Sequence, residues 1–143
     1  MEIDALDAKI LRFLQRDGRA SFIEIAEKLN LNESTIRKRV IRLKEKKVIK
    51  NFTVNLDPAR MGFTSIAVVG IDAEPVKLIE IAEKLAEIPE TVHVATSTGD
   101  HMIMTEVWAK DGKELTKVIS EKIGSIEGVK KICPSIILEK MKG

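Results

Sequence analysis

An internal repeat between residues 63 and 138 is the feature that most constrains the fold of this chain. Each copy has the pattern of a strand, a helix and a second strand. The elements are expected at residues 63–71, in a helix starting at Pro75, at residues 91–97, at residues 102–109, in a helix after Asp111 and at residues 129–138. An offset of 38 residues pairs Ile81 with Ile119, Leu85 with Ile123, Ile88 with Ile126 and Val94 with Ile132. Two such βαβ units predict a ferredoxin-like βαββαβ sandwich.

The first fifty residues carry the start and stop signals of three short helices. Asp4 can cap a first helix, and Ser21 followed by Glu24 has the spacing of a capping box for a second. Asn30 can adopt the left-handed backbone at low cost, and Asn32 can cap a third helix. Because only a tight turn separates the second and third helices, the segment predicts a helix-turn-helix.

The third helix has two faces with different chemistry. Ile36, Val40, Leu43 and the stem of Lys47 recur at helical spacing, so we expect that face to lie against the core. The opposite face and its flanks combine short polar groups with cations. We predict that base edges in the major groove are read by Ser34, Thr35, Lys38 and Arg42, and that phosphates are held by Arg37, Arg39 and Lys44.

The charge distribution favours a nucleic-acid partner for this segment. The formal net charge is only +2, but residues 1–50 hold 13 basic and 8 acidic residues. No aromatic residue lies between Phe22 and Phe52, so the stacking platforms of single-strand binders are missing and duplex DNA is favoured over RNA. The alternative to a nucleic-acid interface is that the basic face of the third helix is simply solvated and binds no partner.

The stretch "SFIEIAEKLNLNESTIRKRVIRLKEKKVIKNFTVNLDPARMGF" resembles the N-terminal signature of the Lrp/AsnC (feast/famine) transcription regulators, and the similarity covers nearly the whole chain. Asn30 stands where the family often has Gly, Asn32 where it often has Ser, and Lys47 where Gly often closes the recognition helix. The resemblance implies an α+β protein with an N-terminal winged helix-turn-helix domain and a C-terminal ferredoxin-like domain. It implies a DNA-binding transcription regulator, with autoregulation as the expected mode.

The chain is expected to divide into three segments. These are a helix-turn-helix domain at residues 1–47, an extended β linker at residues 48–62 and an effector and oligomerisation domain at residues 63–143. Phe52 and Val54 alternate with polar residues along the linker, whose open edge a partner subunit's strand would cover. An ordinary hairpin arm is the alternative.

One face of the predicted sheet needs a cover, because both helices of a ferredoxin-like sandwich lie on the other face. Met102, Met104 and Trp108 point one way while Ile103 and Thr105 point the other, and neither face is polar. We expect the face with Met102, Met104 and Trp108 to be the uncovered one and to pack, together with Phe52 and Val54 of the linker, against another copy in a homodimer that acts on palindromic duplex sites. The resemblance implies further assembly to tetramers or octamers. A partly buried face with gap-filling methionines is the alternative.

The predicted turn at Thr98, Gly99, Asp100 and His101 is the candidate effector site. The resemblance implies that this turn helps to bind an amino acid. Met102 stands where the family usually has an Asp, so the carboxylate that would pair with an amino group is absent there. A purely structural turn is the alternative.

Other functions find little support in the sequence. The single cysteine, Cys133, forms no metal set with His93 and His101, so we expect no metal and no cofactor. No catalytic constellation stands out, and an enzyme or small-molecule-binding module on the ferredoxin-like half is the alternative to a regulator. The longest apolar run, Ile66 to Val69, is too short for a membrane helix, which indicates a cytoplasmic protein. Abundant Lys, Glu and Ile with no Tyr is typical of a thermophilic source, and the resemblance is to the archaeal or thermophilic type of the family.

Overall fold

The computed structural model describes residues 2–143, which form two compact units at residues 2–55 and 56–143. The boundary falls inside the segment 48–62 that was predicted as a linker. Within residues 2–143, no helix combines the length and the apolar character needed to cross a bilayer.

The N-terminal unit contains three helices, α1 (Ala5–Arg16), α2 (Phe22–Leu29) and α3 (Glu33–Glu45). The predicted caps form at the first two: an Asp4 carboxylate oxygen accepts the Asp7 N–H at 2.8 Å, and Ser21 Oγ accepts the Glu24 N–H at 3.0 Å. Asn30 ends α2 in the left-handed conformation, at φ 55°. Asn32 occupies the cap position of α3 without a side-chain hydrogen bond to the backbone. The core of this unit is formed by Ile10, Ile25, Ala26, Ile36 and Val40.

The end of α3 differs from the prediction for Lys47. The helix stops at Glu45 and Lys47 adopts φ 60°, so its side chain is exposed instead of extending the buried face. The N–H groups of Lys47 and Val48 donate to the carbonyls of Lys44 and Leu43 at 3.1 and 3.0 Å. This is a Schellman closure with Lys in the position that Gly usually occupies.

The predicted wing has no counterpart in paired strands. Residues 2–55 include no β-strand, and residues 50–57 have no regular secondary structure. Phe52 and Val54 are exposed. An extended segment needs a neighbouring strand for its backbone hydrogen bonds, and residues 2–143 pair no strand with this segment.

The C-terminal unit confirms the ferredoxin-like prediction. Its elements are β1 (Ser65–Ala73), α4 (Leu78–Glu87), β2 (Thr91–Thr96), β3 (Ile103–Ala109), α5 (Gly112–Lys117) with a π-helical continuation (Val118–Ile123), and β4 (Val129–Ile136). The four strands form one antiparallel sheet in the order β2-β3-β1-β4. The two predicted helix starts are confirmed: Pro75 begins the short 3₁₀ turn that leads into α4, and Asp111 caps α5.

The π-helical segment shifts the register of the repeat. In α4 the fully buried residues Ile81 and Leu85 are four positions apart, whereas in the second copy Val118 and Ile123 are buried and lie five apart. A π-turn places residues five apart on one face, and the Gly124 N–H bonds the Ile119 carbonyl at 2.8 Å accordingly. Val118 therefore takes the buried place predicted for Ile119, which is only partly buried.

The core of this unit lies between the helices and one face of the sheet. Ala67, Val69 and Ile71 of β1 and Ile103, Val107 and Ala109 of β3 are buried there with the inner residues of α4 and α5. The alternate residues of these strands lie on the opposite face, which the helices of this unit do not cover.

Candidate nucleic-acid interface

The outer face of α3 carries a continuous exposed stripe. Ile36, Val40 and Leu43 are buried, so the helix turns Ser34, Arg37, Lys38 and Ile41 to the solvent. These four positions have the i, i+3, i+4, i+7 spacing that places side chains along one side of a helix. The stripe offers a hydroxyl, two cations and one apolar side chain to a partner.

A buried carboxylate connects α1 to the flank of this stripe. The Asp7 side chain is fully buried, and its two oxygens accept hydrogen bonds from Arg42 Nη2 at 2.9 Å and Arg39 Nη1 at 3.2 Å. Arg39 Nη1 also pairs with Asp4. Asp7 thus fixes the side chains of two predicted DNA-binding cations, Arg39 and Arg42, from the side of α1.

The charges of this cluster reinforce one another. Hydrogen bonds from the Asp7 backbone N–H and then from Arg39 lower the pKa of Asp4. The hydrogen bonds to Asp4 and then to Asp7 raise the pKa of Arg39. The Arg42 side chain remains 48% exposed, and a guanidinium has five N–H donors, so donors remain for a group outside the protein.

The remaining predicted DNA contacts differ in how freely they can move. Arg37 is exposed and pairs with Glu33 one turn earlier, an arrangement that costs little to open. Lys44 Nζ donates to the Lys50 carbonyl at 2.8 Å and lies 5.7 Å from the Phe52 ring centre. Thr35 is half-buried at the start of the helix.

Ser34, Arg37 and Lys38 of the predicted set therefore share the exposed stripe, while Arg39 and Arg42 turn towards α1. Ile41 belongs to the stripe and was not predicted. The signal was present, because an isoleucine seven residues after Ser34 lies opposite the apolar face of the helix.

The open face of the sheet is less apolar than the sequence suggested. Met102, Met104 and Trp108 are half-buried there, as the alternation predicted. Glu106 lies on the same face, where it accepts Trp108 Nε1–H at 2.8 Å and pairs with Lys140 Nζ at 2.8 Å. Burial would raise the pKa of Glu106, but Lys140 and Trp108 lower it overall, which favours the carboxylate form.

The predicted effector turn separates into two parts. Thr98, Gly99 and Asp100 are exposed in the loop between β2 and β3, with Gly99 at φ 103°. His101 turns back over the open sheet face, where a Cβ added to Gly70 would lie 2.4 Å from its ring. Within residues 2–143 no cluster of three or more His, Cys, Asp or Glu side chains is placed to hold a metal ion.

Comparison with known proteins identifies the two units. Residues 3–44 match the AsnC-type helix-turn-helix domain, and residues 66–143 match the Lrp/AsnC ligand binding domain. The chain is 47% identical over 140 residues to the HTH-type transcriptional regulator LrpA of Pyrococcus horikoshii, covering 98% of this chain and 99% of that protein.

Solved structures show the same fold. An AsnC-family transcriptional regulatory protein from Pyrococcus furiosus is similar at 32% identity with a TM-score of 0.77, covering 99% of this chain and 94% of that one. A Neisseria meningitidis transcriptional regulator solved as an L-Met complex has 22% identity and a TM-score of 0.90 over 99% and 94% of the two chains. The present chain belongs to the Lrp/AsnC family of helix-turn-helix transcription regulators.

Proposed function

We propose that this DNA-binding regulator reads duplex DNA with the exposed stripe of α3. Ser34 and Lys38 are assigned to base edges, because they lie in the first two turns of the helix and have no hydrogen-bond or ion-pair partner within residues 2–143. The supporting observation is the division of α3 into a buried apolar face and this exposed polar stripe.

The cations on the flanks are assigned to phosphates. Arg42 was predicted to read bases, but its bond to Asp7 holds the guanidinium beside α1, so a backbone contact fits it better. Arg39 has the same role, Arg37 is assigned to a phosphate although it lies in the stripe, and Lys44 adds charge near the end of the helix. Thr35 remains a candidate at the helix start. Phosphate contacts of this kind fix the orientation of the helix while the stripe supplies specificity.

The acting form is proposed to be a homodimer, with dimers able to associate further. The open sheet face presents Met102, Met104 and Trp108 with Glu106 among them, and Phe52 and Val54 are exposed on the connecting segment. Burying these apolar groups against a second copy removes them from water. Two-fold symmetry then presents two α3 helices to a palindromic site.

Light scattering tests the assembly with a matched pair of variants. The 16.0 kDa chain should give a particle of at least twice that mass, and Met104→Lys should lower the mass by placing a charge in the interface. Val76→Lys, at a position 92% exposed on the helix side of the unit, should leave the mass unchanged. A wild-type particle of one chain at working concentration would rule the dimer out.

Binding-site selection from random duplexes tests the DNA-binding role. The full chain should enrich a palindromic sequence, and Ser34→Ala with Lys38→Ala should not, while the exposed α1 variant Lys9→Ala should enrich the wild-type site. Repeating the selection with a panel of amino acids, L-Met included, tests whether the loop at Thr98–His101 responds to an effector. A chain that enriches no duplex and instead turns over a substrate would favour an enzyme.

A further inference from the structure

Ile41 lies outside the apolar core of the N-terminal unit. The three buried residues Ile36, Val40 and Leu43 already fill the core face of the helix, and the Ile41 side chain is 49% exposed. A single exposed isoleucine is not unusual in itself. Its position is informative, because it continues the stripe formed by Ser34 and Lys38.

The major groove presents one apolar group that an isoleucine can recognise. Each base pair shows hydrogen-bonding atoms there, but only thymine adds a C5-methyl group. Ile41 can neither donate nor accept a hydrogen bond, so packing is the only contact it can make with a base edge. We propose that Ile41 is a specificity-determining residue that packs against a thymine methyl in each half-site. This inference rests on the proposed function of the stripe.

The geometry of α3 sets where that thymine lies. Ile41 is seven residues beyond Ser34, a separation of about 10 Å along the helix axis. That is the length of about three base-pair steps. Arg39 and Arg42, both held by the buried Asp7 on the α1 side of the stripe, can fix the helix against the phosphates while Ile41 packs against the base. The thymine should therefore lie within about three base pairs of the position whose readout depends on Ser34.

Uridine scanning of the selected duplex isolates the methyl group. Each dT is replaced in turn by dU, which removes the C5-methyl and leaves the hydrogen-bonding edge intact. For the wild type, one position in each half-site should weaken binding by about fourfold, the factor expected from losing one buried methyl group. The Ile41→Ala variant should bind the dT and dU duplexes equally at that position. Alanine favours the helix, so the variant should retain the fold.

Ile23→Ala is the matched control, because it makes the same chemical change at a side chain 60% exposed on α2. It should keep the wild-type response to dU. The proposal is overturned if no dU substitution affects the wild type, or if Ile41→Ala retains the wild-type loss. Failure to select any duplex would instead overturn the DNA-reading role of the stripe, and this assignment with it.

Discussion

Replacing Asp7 by Asn should destabilise the N-terminal unit and weaken the hydrogen bonds that Arg39 and Arg42 donate to this side chain. Asn has nearly the shape of Asp but no charge, so the change tests the electrostatic role with little change in volume. In the native structure the buried carboxylate accepts hydrogen bonds from Arg42 at 2.9 Å and Arg39 at 3.2 Å. The amide of Asn can accept from only one of these groups and would turn its NH₂ towards the other.

The expected cost follows from the two bonds and from the exposure of their donors. A hydrogen bond to a charged group contributes roughly 1.5–3 kcal/mol, and both bonds weaken when the charge is lost. The arginines are 28% and 48% exposed and can regain water, so the loss falls below that of a fully buried pair. We expect Asp7→Asn to lower the free energy of unfolding by about 2 kcal/mol.

Urea denaturation of the full chain, followed by a signal from the N-terminal unit, measures this loss. Asp4→Asn is the control, because that carboxylate is half-exposed and should cost less. Asp7→Asn should also raise the affinity for a scrambled duplex at fixed salt, since it removes a negative charge beside the two arginines proposed to contact phosphates. A stability loss under about 0.5 kcal/mol would show that the hydrogen bonds of the buried Asp7 carboxylate do not hold α1 to α3.

Three further changes test other parts of the structure. Lys47→Gly should stabilise the chain by about 0.5–1 kcal/mol in thermal unfolding, because Gly adopts the left-handed φ of 60° at lower cost. A lower stability of the variant would show that Lys47 is not strained at this position. Gly70→Ala should lower the free energy of unfolding in urea by about 1–3 kcal/mol, because the added methyl group clashes with the His101 ring. Adding His101→Ala to the same chain should restore most of the lost stability. If it does not, the clash lies with another group. The hydrogen bond from Lys122 lowers the pKa of Glu90 below its usual value of 4.5. This carboxylate therefore stabilises the fold fully at a pH above 4.5, and the stabilisation is lost as the pH falls through the lowered pKa of the folded state. Glu90→Gln should therefore be less stable than wild type at pH 7, a difference that shrinks in acid; a difference independent of pH would refute this.

Local signals predicted much of the fold because short-range chemistry determines them. Asn30 was expected in the left-handed turn and adopts it, and Asp111 caps α5 as its spacing suggested. The alternation along β3 correctly assigned Ile103 and Thr105 to the helix side of the sheet. Turns, caps and strand faces depend on a few neighbouring residues, which the sequence displays directly.

Features that depend on packing between distant segments escaped prediction. Asp7 meets Arg39 and Arg42 across more than thirty residues, and no periodicity shows that α1 would bury its acid beneath α3. The π-helical turn after α5 moved Val118 into the core, since an offset taken from the sequence alone cannot reveal an extra residue in a helical turn. Glu106 could have been found, because the same alternation that selected Met104 places it on the open face.

The exposed stripe of α3 is proposed to read base sequence and not merely to attract phosphate. The most direct test of this proposal is the ratio of the dissociation constants for a scrambled duplex and for the selected palindrome, measured at one salt concentration for wild type and Lys38→Ala. Loss of a base contact worth 1–3 kcal/mol should reduce this ratio by roughly fivefold to more than a hundredfold. Equal weakening on both duplexes, leaving the ratio unchanged, would show that Lys38 contacts only the DNA backbone and would contradict the account.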